Sequence, residues 1–141
     1  RGSAGVAGVL TRTPGAIGYA DVAYALANKI QFAAVQNASG KYALPGIRGI
    51  KAAAAADKKF DSRNFLSIVN PPKGKRYEQA YPICTFTWVI LPIKSNKASE
   101  LKPFVKWALT KGQSFGPKLL FVKVPDAVQK AGLKTLTRVH S

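Results

Sequence analysis

Ser3, following Gly2 at the start of a helical stretch, is the first group in the chain placed to bind rather than to pack. A helix start offers unpaired backbone N–H groups and the positive end of the peptide dipole. An anion could be held there, which makes Gly2 and Ser3 the candidate anion-site residues. A serine at that position also serves as an ordinary helix cap. Little else is arranged for chemistry. The six carboxylates are scattered, with no pair spaced for acid–base work. Cys84 and His140 are each the sole residue of their type and lie far apart in the chain. That is a poor basis for a Cys–His nucleophile or a metal site. The glycine-rich opening lacks G-x-G-x-x-G, and no phosphate-cradling G-x-x-x-x-G-K-[ST] occurs. Gly2-Ser3-Ala4-Gly5 has the wrong spacing for a nucleophile elbow. The expectation is a binding protein that is not an enzyme, with no cofactor and no metal.

Charge is the loudest compositional signal. There are 22 Lys+Arg against 6 Asp+Glu, a net charge of +16. A field of that sign attracts phosphate, nucleic acid and acidic lipid, or simply keeps a surface solvated. At 141 residues, 47% hydrophobic, the chain is long and apolar enough to bury a core. Apolar runs are too short for a membrane-spanning helix. Methionine is absent and no secretory signal opens the chain, so the expectation is a processed chain or part of something longer. A lone cysteine excludes an internal disulfide. Cys84 sits among apolar residues and reads as a small buried hydrophobe.

The elements that would position a site are organised around Thr13-Pro14-Gly15-Ala16-Ile17-Gly18-Tyr19-Ala20. A helix over 1–12 precedes it, with glycines at 2, 5 and 8 that cost helix stability and suggest close packing. Pro14-Gly15 predicts a turn. Residues 16–19 predict a short strand covered on both faces, and Gly18 predicts a close approach to its backbone. Asp21 predicts the cap of a helix whose Val22, Ala25 and Leu26 share a side.

Further on, 30–37 predicts a strand that turns at Asn37-Ala38-Ser39-Gly40 and pairs back through 41–44. Pro45 predicts a helix running through Ile47, Ile50 and the alanines 52–56, ending over 57–61. Asn70-Pro71-Pro72-Lys73-Gly74-Lys75-Arg76 excludes regular structure and reads as a solvated connector, a phosphate-holding loop being the other reading. Residues 81–93 predict a central strand. Cys84, Phe86, Trp88 and Ile90 face one way, and Ile83, Thr85, Thr87, Val89 and Leu91 the other. Leu101, Phe104, Val105, Ala108 and Leu109 predict an amphipathic helix with Pro103 in its first turn and a stop at Gly112. Pro125-Asp126 predicts a last helix with Val128, Ala131, Leu136 and Val139 on one side. Helices interleaved with apolar strands make the class α/β.

Gly5-Val6-Ala7-Gly8-Val9-Leu10 followed by TPGAIGYADVAYALA resembles the second half of phosphate ABC transporter substrate-binding proteins. The Ser39-Gly40-Lys41 tip, Tyr81-Pro82-Ile83 and Phe104-Val105-Lys106-Trp107-Ala108 follow in the same order. The resemblance covers nearly the whole chain, and it matches the C-terminal portion of such proteins. It implies part of a two-lobed periplasmic-binding-protein-like fold, a mixed sheet with flanking helices. Residues 1–76 would end the second lobe, and 77–141 would return to complete the first. It further implies a periplasmic or extracellular location, an ABC permease as partner, and inorganic phosphate as ligand. In that family the phosphate ligands lie in the portion preceding this match, so none is carried over. Arg1 is not equated with the family's binding arginine, because the Ser-Gly-Thr that accompanies it is missing here. A partner would then be the N-terminal portion of the same protein, and self-association is the alternative fate of the exposed faces. The competing reading is a small basic protein that binds nucleic acid or acidic membrane. Against it stand Phe86, Trp88 and Phe104, which read as core and not as an exposed stacking platform.

Overall fold

The computed structural model describes residues 1–55 and 66–141. Helix α1 spans Gly2–Leu10 and α2 spans Val22–Ala27. Strands β1, Val35–Gln36, and β2, Tyr42–Ala43, form an antiparallel hairpin. Helix α3 covers Ile47–Ala54, α4 Ala98–Leu109 and α5 Asp126–Leu136. Two 3-10 segments, Lys75–Tyr77 and Lys111–Leu119, complete the described elements.

Local rules hold where the stabilising partner is near in sequence. Pro14-Gly15 forms a turn, closed by Ala16 N–H donating to Thr13 O at 3.1 Å, with Gly15 at φ 76. The Asp21 carboxylate accepts from Ala23 N–H at 2.9 Å and so caps α2. The hairpin pairs Val35 with Ala43 and Gln36 with Tyr42 around Gly40 at φ 76, so the predicted turn forms, while the strand predicted over 30–37 is confined to 35–36 and its return to 42–43. The helix after Pro45 begins at Ile47, behind Gly46, and its predicted continuation over 56–61 lies outside the described residues.

Two strand predictions need correction. Residues 16–19 join no sheet among the described residues, with Ile17 97% and Tyr19 93% exposed. Residues 83–91 likewise join no sheet among the described residues. A strand needs a neighbour for its N–H and C=O groups, and neither segment meets one among the described residues. The sheet that forms is the two-stranded hairpin, so the described fold is helix-rich rather than built on a mixed sheet. Period-two burial survives over the first half of the long segment. Pro82 and Cys84 are buried and Phe86 is half-buried, while Ile83, Thr85 and Thr87 are exposed. Beyond it Trp88 is 48% and Ile90 92% exposed, so Trp88 is not a core residue. It meets Phe86 edge-on, with ring centroids 6.0 Å apart.

Helix α4 starts at Ala98, which moves Pro103 from the predicted first turn into the second. Phe104 leaves the predicted stripe for solvent, whereas Val105 is buried. The helix ends at Leu109, and Gly112 falls within the following 3-10 segment.

Two apolar clusters are formed among the described residues. In the first, Ala53 and Ala54 of α3 pack with Ile68, Tyr77, Ala80 and Cys84. The second joins Ala98 and Val105 of α4 to Leu136 at the end of α5 and Val139 just beyond it, with Leu91 and Leu109 against it. Gln129 donates to Leu109 O at 2.6 Å and Lys102 to Val139 O at 2.8 Å, tying the two helices. The tail runs beside 93–95, with His140 N–H donating to Ile93 O and Ser95 N–H to His140 O.

Gly49 marks the tightest crossing in the first cluster. Its carbonyl accepts from Tyr81 N–H at 3.2 Å. A Cβ at Gly49 would stand 2.8 Å from Leu44 O and 3.0 Å from Tyr81 Cβ. Both neighbours are held by backbone, so Gly49→Ala should push α3 away from the 81 segment. The expected cost is about 1–3 kcal/mol, read as a lowered urea midpoint. A midpoint within error of the parent would show that the crossing is loose.

Candidate functional site

Arg1 precedes α1 without a side-chain cap, and Gly2 opens the helix at φ 69. The positive φ favours glycine there. The structure separates the two predicted anion-site residues. Gly2 lines a groove of about 490 Å³ between α1 and the 16–19 segment, while Ser3 is not among its lining residues. The Ser3 hydroxyl instead accepts from Asp21 N–H at 3.4 Å, linking the starts of α1 and α2.

The groove walls are mainly apolar, from Val6, Val9, Leu10 and Ile17, with Arg1 at one end. Gly18 has its predicted close approach here: a Cβ would lie 3.2 Å from Val6 Cγ1 and 3.3 Å from Leu10 Cδ2. The bare backbone at Gly18 therefore lets α1 lie close to the extended segment. One guanidinium and the N–H groups of a first helical turn can attract an anion. They cannot enclose one, because the remaining walls offer no polar side chain but the Tyr19 phenol. The Asp21 carboxylate, near Ser3 through its own N–H, adds charge of the wrong sign for an anion.

Cys84 lies in the first cluster, and burial pushes its thiol up to about 11. Tyr81 is raised as well, by burial first and by the nearby Cys84 second. A thiol in that state is almost wholly protonated at neutral pH, so the native protein should label slowly with a thiol reagent. Labelling at the rate of a free cysteine would contradict this placement. Because the folded thiol titrates higher than the unfolded one, its contribution to stability is full below the ordinary cysteine value. It is lost as pH rises through about 11. Among the described residues no group of three His, Cys, Asp or Glu side chains could hold a metal ion. No described helix is long and apolar enough to cross a membrane.

Sequence reasoning missed a heavily bonded polar group among the described residues. Asn37, buried at the hairpin turn, donates from Nδ2 to the carbonyls of Tyr77, Glu78 and Ala80 at 3.2, 3.0 and 3.1 Å. Its Oδ1 accepts from Ser39 and Lys41 N–H at 3.0 and 3.2 Å. Ser39 Oγ meets the Gly74 N–H and carbonyl at 3.1 and 3.2 Å. The signal was present as an Asn-x-Ser-Gly turn, but its long-range partners were not visible in spacing. These bonds position the turn and bind no ligand.

No protein-family model matches the chain. Similarity to individual proteins is extensive. The chain is 31% identical over 133 residues to the phosphate-binding protein PstS of Xylella fastidiosa, covering 92% of this chain and 36% of that one. It is 31% identical over 159 residues to the phosphate-binding protein PstS of Methanocaldococcus jannaschii, covering 99% and 39%. The phosphate-binding protein PstS of Haemophilus influenzae is 28% identical over 131 residues, 91% and 38%. The chain thus spans 36–41% of the length of the curated relatives it matches. It is similar to the phosphate-binding proteins PstS along nearly all of its own length, a stretch a little over a third of theirs.

Proposed function

We propose that this chain is part of the phosphate-binding component of an ABC-type phosphate uptake system, and not an enzyme. The observation that carries this reading is the similarity to phosphate-binding proteins along 92–99% of the chain. In this reading the 141 residues supply architecture of a two-lobed clamp. Residues 1–76 finish one lobe and 77–141 return to the other. The crossing runs through 77–91, which packs on the first cluster at Tyr77, Ala80 and Cys84 and on the second at Leu91. The extended segments 16–19 and 83–91 are strands of the clamp's sheets, paired with the preceding portion of the longer protein. The protein works outside the inner membrane and delivers phosphate to a permease.

The ligands that enclose phosphate belong to that preceding portion. The apolar groove at α1 supports this, since Arg1 and the N–H groups of the first turn make at most an open anion contact. Calorimetric titration of the 141-residue chain with inorganic phosphate should therefore show no binding tighter than the millimolar range. Micromolar binding by the chain alone would place a complete site within it. Gly2 and Ser3 would then be the positions to substitute first.

A further inference from the structure

Phe104, Trp107 and Phe115 form a continuous aromatic surface where α4 meets the following 3-10 segment. Phe104 and Trp107 lie 6.2 Å apart at an interplanar angle of 25°, and Trp107 and Phe115 6.1 Å apart at 42°. The three are 63%, 45% and 58% exposed. Helical spacing places Phe104 and Trp107 on one face. Gly112 presents no side chain beneath Trp107: a Cβ there would stand 3.1 Å from the indole. The sequence argument against an exposed stacking platform therefore fails at Phe104.

The charge along this stretch is mostly positive. From 97 to 123 the chain carries six lysines and one glutamate. Lys102 is engaged with Val139 O, and Lys123 lies 3.8 Å from the Asp126 carboxylate. Lys106, Lys111 and Lys118 are exposed and flank the rings in sequence, Lys111 four residues after Trp107 and Lys118 three after Phe115. Glu100, one turn before Phe104, is the opposing charge. Exposed rings alone would fit any apolar partner. Rings interleaved with cations fit a partner that presents π faces at intervals along an anionic backbone.

We propose that the Phe104–Trp107–Phe115 surface binds single-stranded nucleic acid, stacking bases on Trp107 and its neighbours while Lys111 and Lys118 contact phosphates. Binding is tolerant of sequence, because stacking uses the base face and not its edges. It weakens steeply with salt as counterions are released. The proposal stands apart from the phosphate-uptake reading, since free phosphate has no π face.

The test uses the full 141-residue chain carrying Trp88→Phe, which leaves Trp107 as the sole tryptophan. An oligo-dT strand should quench Trp107 emission. Trp107→Ala should weaken oligo-dT binding about tenfold or more, while Trp107→Phe retains most of it. Phe115→Ala, on a separate element, should weaken binding in the same direction. Inorganic polyphosphate should bind without quenching and equally well to the Trp107→Ala variant. The proposal is overturned if oligo-dT binds both proteins equally. It is also overturned if only anionic phosphatidylserine vesicles perturb Trp107, or if self-association shields Trp107 and oligo-dT binding is absent.

Discussion

Asn37→Ala should cost the fold on the order of 3–5 kcal/mol, because the side chain serves five backbone groups at once. Two amide protons are shared across the carbonyls of Tyr77, Glu78 and Ala80, and Oδ1 holds two turn N–H groups. Alanine removes every one of these partners and adds none. The carbonyls of Tyr77 and Ala80 sit where Asn37 itself is buried, so water does not replace the lost bonds without opening the cluster. Asn37→Asp should be as damaging, since a carboxylate would face three carbonyl oxygens. Ser39→Ala, which loses one hydroxyl bonded to Gly74, should cost only about 1 kcal/mol. Urea unfolding of the three variants reads the order directly. Equal midpoints for Asn37→Ala and Ser39→Ala would mean that the turn is not fixed to 77–80 as described.

The second large effect is a change of assembly. Ile17, Tyr19, Ile83, Val89 and Ile90 are exposed on segments without a sheet partner among the described residues. Unpaired extended backbone beside large apolar side chains drives association. The net charge of +16 opposes it. Repulsion between whole molecules is screened within about 10 Å at 0.1 M salt, whereas apolar contact is not. The isolated chain should therefore scatter light as a species larger than its 15.1 kDa monomer, and more so as salt rises. The salt dependence has the opposite sign from nucleic-acid binding, so one titration separates the two. A monomer at every salt concentration would show that these segments are covered within the chain.

The pattern of what was legible follows from the range of each interaction. The Asp21 cap, the Pro14-Gly15 turn, the 37–40 hairpin tip and the amphipathic α5 each depend on residues a few positions apart. They were readable from spacing. Gly18 was readable too, because a missing side chain in an apolar run implies a close neighbour, here Val6 and Leu10. Residues 83–91 carry strand-type sequence, but pairing depends on a second segment that composition does not identify. Phe104 fits the apolar stripe of α4 by spacing, yet α5 meets that helix through Val105 and Leu109 and leaves Phe104 outside. Asn37 and Gly49 act on partners dozens of residues away, so nothing local distinguishes them from an ordinary turn asparagine and an ordinary helix glycine. The candidate site was legible only as a helix start. Its groove, and the turning of Ser3 away toward Asp21, needed coordinates.

The most direct test of the central claim is a splice. The 141 residues would replace the matched stretch of the Xylella fastidiosa protein, to which they are 31% identical. The chimera would be titrated with inorganic phosphate by calorimetry. If this chain is the corresponding part of a phosphate clamp, the folded monomeric chimera should bind one phosphate at least a hundredfold more tightly than the 141 residues alone, a gain of about 2.7 kcal/mol. A chimera that is folded and monomeric but binds no more tightly than the isolated chain would contradict the account.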